Sequence, residues 1–193
     1  LHVRSRRQRQ MCIRDSPISG KITCADDWYH IQVKGTDSEE FAKMAEIIRG
    51  IRKEAGKDVL IFQTMFGPFK AASMTFGDDV LMKYSKEAPE AVAAGVKIIA
   101  DALEEWTKGY LEAGADGIYY SAQFGEIGRF EKNEWEELVR PYDLQILKVA
   151  EEMPEKYNIL HICGEPEYQF ETHVEWFKTV SYTHLTLPTT PYV

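Results

Sequence analysis

The chain has few cysteines and lacks long apolar runs. Its three cysteines, Cys12, Cys24 and Cys163, cannot form a disulfide framework and fit a reducing compartment, so we expect a cytoplasmic protein. We expect Cys24 to be a small buried residue. No apolar stretch approaches the ~18–20 residues that cross a bilayer, so a membrane protein is not expected. No glycine-rich phosphate-binding fingerprint follows a predicted strand, which disfavours a nucleotide-binding open sheet.

Acidic residues outnumber basic ones outside the N-terminal end. Residues 1–16 hold five arginines against one aspartate, a local charge of +4, so the rest must carry −12 to give the total of −8. Both ends resemble translated sequencing-adapter read-through. We therefore interpret residues 1–16 and 180–193 as artefactual extensions and residues 17–179 as one partial domain cut from a longer gene. An acidic domain gives no reason to expect a nucleic-acid partner.

Helical patterns begin at residues 36–39, where a hydroxyl followed three residues later by a glutamate predicts a capping box on Thr36. The helix that follows should end at Gly56. Its apolar positions recur at helical spacing and are Phe41, Ala45, Ile48 and Ile51. A shorter helix is predicted over residues 70–76.

Two longer helical patterns follow. Pro89 suits the first turn of a helix that Gly114 ends. Its apolar stripe consists of Val92, Val96, Ile99, Leu103, Trp106 and Tyr110. The pattern over residues 130–153 should break near Pro141, because proline lacks the amide that a helix interior needs. One more helix is predicted over residues 167–178.

Three short apolar segments alternate with these helices, at residues 58–63, 115–121 and 158–163. The alternation predicts an α/β fold with a parallel sheet, because parallel strands need a helical crossover. A (β/α)8 barrel and an open doubly wound sheet both satisfy it. Barrel enzymes place their chemistry at the C-terminal ends of the strands. The stretches at those ends are 64–69, 121–125 and 161–164.

His161 and Cys163 stand at the end of the last predicted strand. Because strand side chains alternate, the two should share one face. Imidazole and thiolate are ligands that zinc prefers in proteins, so the pair is half of a zinc site. A histidine on an apolar strand is also found as a core or pocket residue, and Cys163 alone suits a small buried position.

Four motifs, in this order and spacing, resemble the uroporphyrinogen decarboxylase superfamily. They are Gly67-Pro68-Phe69, Ala113-Gly114-Ala115-Asp116-Gly117, Arg140-Pro141-Tyr142 and His161-Ile162-Cys163-Gly164. The resemblance covers residues 28–177 and implies a (β/α)8 TIM barrel, of which this chain would hold about three of eight strands. It implies that the full-length protein is an enzyme. The fragment itself should be inactive, since missing strands leave open sheet edges.

The superfamily contains porphyrinogen decarboxylases and corrinoid-linked methyltransferases. Decarboxylases carry a substrate-contacting tyrosine where this chain has Met74, and an acidic-serine pair where it has Ser121-Ala122-Gln123. The His-x-Cys pattern is similar to the zinc motif of the methyltransferases, whose further cysteine ligand lies later in the chain. These departures favour the methyltransferase-like branch.

For that branch the resemblance implies zinc held by His161 and Cys163, and a methyl group moving between a thiol and the corrinoid (cobalamin) of a partner protein. No catalytic residue is assigned. The candidates for the pocket wall are Met65, Phe66, Tyr120 and Gln123, although the first three suit core positions as well. Two alternatives stay open: a cofactor-free decarboxylase of porphyrin biosynthesis acting on a tetrapyrrole, and a non-catalytic module that docks a corrinoid protein.

Overall fold

The computed structural model describes residues 18–126, 128–153, 157–162 and 181–183. Strands β1 (Ile18–Ser19) and β2 (Gln32–Val33) form an antiparallel pair, and a 3-10 helix over Ala25–His30 lies between them. This helix buries Trp28 against the long helix over Pro89–Glu112. A Cβ on Gly95 of that helix would lie 2.8 Å from the Trp28 ring, so only glycine allows the close approach.

The remaining strands make one parallel sheet in the order β3-β4-β5-β6. They are β3 (Phe62–Phe66), β4 (Gly117–Ala122), β5 (Ile159–Ile162) and β6 (Ser181–Thr183). The helices are α1 (Glu39–Ala55), α2 (Pro68–Phe76), α3 (Asp78–Glu87), α4 (Pro89–Glu112), α5 (Lys132–Leu138) and α6 (Arg140–Glu152). Consecutive strands are neighbours, which confirms the α/β class and a partial (β/α)8 arrangement.

Helix α4 matches its sequence pattern closely. Pro89 lies in the first turn, and all six residues of the predicted stripe are buried. The expected break near Pro141 is also present, since α5 ends at Leu138 and α6 begins at Arg140, with the proline in the first turn of α6. In the first turn of a helix the backbone amides have no acceptor within the helix. The amide that proline lacks is therefore not missed there.

Helix α1 begins two residues later than its sequence pattern indicated. Ser38 is the N-cap, and its hydroxyl oxygen accepts the Phe41 amide at 3.4 Å, so the capping box predicted on Thr36 is wrong. Gly56 ends the helix as predicted, with φ of +69°. Ile51 is 48% exposed and does not join the buried face that Phe41, Ala45 and Ile48 form.

Other differences concern segments with weak or misleading patterns. Strand β3 starts four residues after the beginning of the predicted segment, because Val59 and Leu60 lie in an exposed loop rather than in the sheet. Helix α3 was not predicted. Cys24 is exposed instead of buried, since its amide caps the 3-10 helix by donating to Asp27. The predicted helix over residues 167–178 lies outside the described residues.

The core lies between one face of the parallel sheet and the helices. Its largest fully buried side chains include Trp28, Phe69, Tyr120, Ile146 and Leu160. Within the described residues, none of the helices has the length and apolar character that a bilayer span requires.

Candidate functional site

The two faces of the parallel sheet have different surroundings. Side chains alternate along each strand, so Met65, Tyr120 and Leu160 point to the helix side and are buried in the core. Met65 and Tyr120 therefore do not line a pocket, which corrects our expectation for these two residues. Their chain neighbours Phe66 and Tyr119 lie on the opposite face, which would be the interior of a closed barrel.

Four side chains gather on this inner face near the C-terminal ends of the strands. We call Phe66, Ser121, Gln123 and His161 the inner-face cluster. Ser121 is the register partner of both Phe66 on β3 and His161 on β5. The amide of Gln123 donates to the hydroxyl of Ser121 at 3.3 Å. The structure therefore brings together three of the residues predicted for the site, namely Phe66, Gln123 and His161.

His161 is half-buried, and its ring stacks on that of Tyr119 with centroids 5.5 Å apart. Its Nδ1 atom is buried and has no hydrogen-bond partner among the described residues. A buried imidazole nitrogen without a partner is a donor atom that a metal or a substrate can use. This observation fits one zinc ligand.

The described residues include His161 but not the second predicted zinc ligand. Cys163 lies outside the described residues. The described part of the chain contains no group of three His, Cys, Asp or Glu side chains arranged to hold a metal ion. Both zinc ligands therefore stay predictions, with His161 on the inner face of the sheet and Cys163 outside the described residues.

Charged and aromatic side chains pack around Phe124 in the loop after β4. Phe124 has φ of +70°, the only such value for a non-glycine residue in the described ranges. The Arg129 guanidinium lies 4.2 Å above its ring, and Phe69 meets the ring edge-on at 5.0 Å. Arg129 also binds both carboxylate oxygens of Asp78 at 2.8 Å. These contacts hold Phe124 in a conformation that is otherwise unfavourable.

A second feature that the sequence analysis missed is a buried acid behind the same end of the sheet. The Tyr120 hydroxyl donates to Oδ1 of Asp143 at 2.7 Å, and both side chains are buried. Burial raises the pKa of Asp143 to about 7, while the tyrosine hydrogen bond acts in the opposite direction. The sequence does contain a signal for this buried acid. Asp143 lies three and four residues before the apolar Ile146 and Leu147, which places it on the same face of the helix.

At the opposite end of the sheet, Asp116 from the motif over residues 113–117 links helix α1 to the strands. Its carboxylate binds the Arg52 guanidinium and accepts the Ile61 amide at 2.6 Å. Arg52 also donates to the carbonyl of Gly114 at 3.1 Å. These contacts hold α1, β3 and β4 in place relative to one another. This is a structural role, as expected at the N-terminal ends of barrel strands.

These features define a class: an α/β protein of the (β/α)8-barrel type whose candidate functional residues lie on the inner face where the strands end. Comparison with known sequences then identifies the family. The chain belongs to the uroporphyrinogen decarboxylase (URO-D) family, whose model matches residues 14–186. Among curated proteins, none matches this chain in sequence.

A solved structure among those that share this fold has low sequence identity to this chain. It is a methyltransferase from Methanosarcina mazei, which superposes with a TM-score of 0.57 at 21% identity. The match covers 67% of this chain and 39% of the methyltransferase chain. This chain therefore spans well under half the length of that structure.

Proposed function

We propose that the protein is a methyltransferase-like member of the uroporphyrinogen decarboxylase family that transfers a methyl group between a corrinoid protein and a thiol, with zinc held by His161 and Cys163. The observation that carries this proposal is the position of His161. Its imidazole lies on the inner face of the sheet near the end of β5, with a buried Nδ1 atom that has no partner among the described residues. The methyltransferase from Methanosarcina mazei adds support, because its fold is the same.

The residues around His161 suit this role. Tyr119 packs against the imidazole and limits its rotation, which favours a fixed ligand geometry. Gln123 offers a side-chain amide beside Ser121 and can hydrogen-bond the polar part of a substrate. Zinc, when bound, would favour the deprotonated form of a substrate thiol. The half-buried Phe66 supplies an apolar wall on β3.

The proposal is tested by the metal content and activity of matched variants. Zinc is measured by mass spectrometry in the purified full-length protein, and methyl transfer is measured with methylcobalamin as donor and 2-mercaptoethanol as acceptor. We expect His161→Ala and Cys163→Ser to lose both zinc and transfer. His30→Ala and Cys24→Ser are the matched controls, because both residues are exposed and distant in sequence from the proposed ligands. The controls should keep the metal and the activity.

Two outcomes would contradict the proposal. Retention of stoichiometric zinc by both His161→Ala and Cys163→Ser would remove these residues as ligands. Release of carbon dioxide from uroporphyrinogen by metal-free protein would show that the chemistry is decarboxylation, the reaction after which the family is named.

A further inference from the structure

The loop after β4 is anchored at Phe124, the residue that directly follows Gln123 of the inner-face cluster. Phe124 is buried, and the ring of Phe69 meets its ring edge-on at 5.0 Å. Phe69 lies in the first turn of α2. The guanidinium of Arg129 lies over the Phe124 ring, 4.2 Å from its centroid. The ring therefore joins the loop both to α2 and to a cation further along the same loop.

Arg129 is held in its turn by carboxylates. Its Nη2 atom lies 2.8 Å from each carboxylate oxygen of Asp78, the first residue of α3. Its Nη1 atom lies 3.9 Å from the carboxylate of Glu126 in the loop itself. The Ser73 hydroxyl on α2 donates to Asp78 at 3.2 Å and orients that carboxylate. We call Phe124, Arg129 and Asp78 the loop clamp.

The backbone at Phe124 needs such support. Its φ of +70° is a value that side chains other than glycine rarely adopt. A residue of this kind keeps an unfavourable conformation only where its surroundings determine it. For Phe124 these surroundings are the ring contacts with Phe69 and Arg129, and the contact with Arg129 depends on Asp78.

Gln123 lies between the sheet and the loop clamp. Strand β4 ends at Ala122, so Gln123 is the first residue beyond the paired part of the strand. Its side-chain amide donates to the Ser121 hydroxyl at 3.3 Å, and Ser121 is the register partner of His161. Rotation about φ of Phe124 changes the direction of the chain between Gln123 and the rest of the loop. The position of Gln123 beside Ser121 therefore depends on the conformation of Phe124.

We propose that Arg129 is a positioning residue for Gln123. Through the Phe124 ring it fixes the left-handed backbone after β4, and this backbone sets the Gln123 amide against Ser121 on the inner face. The inference rests on the proposed function, in which Gln123 hydrogen-bonds the polar part of the substrate. Arg129 itself does not touch the substrate in this account, and zinc binding does not depend on it.

Hydrogen exchange followed by mass spectrometry tests the loop clamp in the full-length protein. Asp78→Asn removes the charge that holds Arg129 but keeps an acceptor for the Ser73 hydroxyl. Asp79→Asn is the matched control, because it removes the same charge from the same exposed first turn of α3. Peptides that contain Phe124 and Arg129 should exchange roughly 2- to 10-fold faster in Asp78→Asn, the range expected for a lost cation–π contact. They should exchange at the wild-type rate in Asp79→Asn.

Steady-state kinetics of the same protein tests the positioning of Gln123. With methylcobalamin as donor, Arg129→Gln should raise KM for 2-mercaptoethanol roughly 2- to 10-fold and leave kcat within about twofold, because ground-state binding is affected. The zinc content should not change. In a Gln123→Ala background, Arg129→Gln should have no further effect on KM, since two residues that act through one contact are not additive. A general loss of stability would add to the effect of Gln123→Ala instead.

Crystal structures of the full-length wild type and Arg129→Gln decide the inference without an assay. We expect the variant to lose the positive φ at Phe124 and the hydrogen bond from Gln123 to Ser121. Retention of both in Arg129→Gln would overturn the inference, even if the protein transfers no methyl group and the proposed function fails. If Arg129→Gln does not fold, Asp78→Asn takes its place in this comparison.

Two further results would overturn the inference. Equal exchange rates in Asp78→Asn and Asp79→Asn would show that the ion pair does not hold the loop. An equal rise in KM on replacing Arg129 with and without Gln123 would show that Arg129 does not act through Gln123. In an active protein that binds zinc, either result leaves the proposed function in place.

Discussion

The ring of Tyr119 stacks on the imidazole of His161, with centroids 5.5 Å apart and planes inclined by 25°. The contact is diagonal across two strands, because the register partner of His161 is Ser121 and that of Tyr119 is Ile159. Diagonal pairs on one face of a sheet are within reach of aromatic side chains. Tyr119 therefore restricts the orientations that the imidazole can adopt.

In the proposed zinc site, replacement of Tyr119 should weaken metal binding without removing a proposed ligand. An aromatic pair contributes about 0.5–1.5 kcal/mol beyond its buried area, so Tyr119→Leu should lower zinc affinity roughly 2- to 10-fold. Tyr119→Phe keeps the ring and should leave the affinity nearly unchanged. Competition with a chromophoric chelator measures both. Equal affinities of Tyr119→Leu and the wild type, with binding abolished by His161→Ala, would exclude the orienting role.

The long helix and the parallel strands could be predicted because their patterns are long or repeated. Helix α4 presents six apolar residues on one stripe over 24 residues, and its ends carry a proline and a glycine. Helix α3 has only ten residues and starts with Asp78 and Asp79, so its buried positions are too few to show a period.

The site was only partly predictable for a related reason. Which face a strand residue occupies depends on register, and a shift of one residue exchanges the two faces. Tyr120 and Tyr119 are adjacent and chemically alike, so sequence alone does not show which one faces the helices. Asp143 and Phe124 depend on contacts with residues far away in the chain, such as Tyr120 and Phe69. His161 stood out as a candidate because it lies near the end of an apolar strand, and its role as a ligand stays a prediction.

The Arg52–Asp116 pair should make a measurable contribution to stability. Both side chains are largely buried, and Asp116 also accepts the Ile61 amide. Hydrogen bonds to charged groups contribute about 1.5–3 kcal/mol, so Asp116→Ala should lower the free energy of unfolding by at least that amount. Lys97→Ala breaks an exposed ion pair with Asp101 and should change it by less than about 0.5 kcal/mol. Urea denaturation compares the two, and similar losses would contradict this difference.

Asp27 should titrate well below an ordinary aspartate. Its carboxylate accepts the Thr23 amide at 2.6 Å, the Thr23 hydroxyl at 2.8 Å and the Cys24 amide at 2.9 Å. The amide of Thr23 contributes most, and together these bonds lower the pKa of Asp27 to about 2. The stabilisation is present above the ordinary pKa of 3.8 and is lost as the pH falls through about 2.

Carbon-13 NMR of the Asp27 carboxyl group measures this titration directly. Thr23→Val keeps the shape of the side chain but removes the hydroxyl donor, so the pKa of Asp27 should rise. A midpoint near 3.8 in the wild type would show that these hydrogen bonds do not form. A midpoint that Thr23→Val leaves unchanged would show that the hydroxyl bond does not contribute.

Two glycine-to-alanine substitutions should have opposite effects on stability. A Cβ on Gly117 would lie 1.4 Å from the carbonyl oxygen of Tyr157, so the connection into β5 must move. We expect Gly117→Ala to cost more than about 3 kcal/mol, because backbone cannot yield as a side chain does. A Cβ on Gly50, inside α1, would meet no atom within 4 Å, so Gly50→Ala should stabilise by about 0.5–1 kcal/mol. Thermal and urea unfolding measure both, and equal stabilities of the two variants would refute the close approach at Gly117.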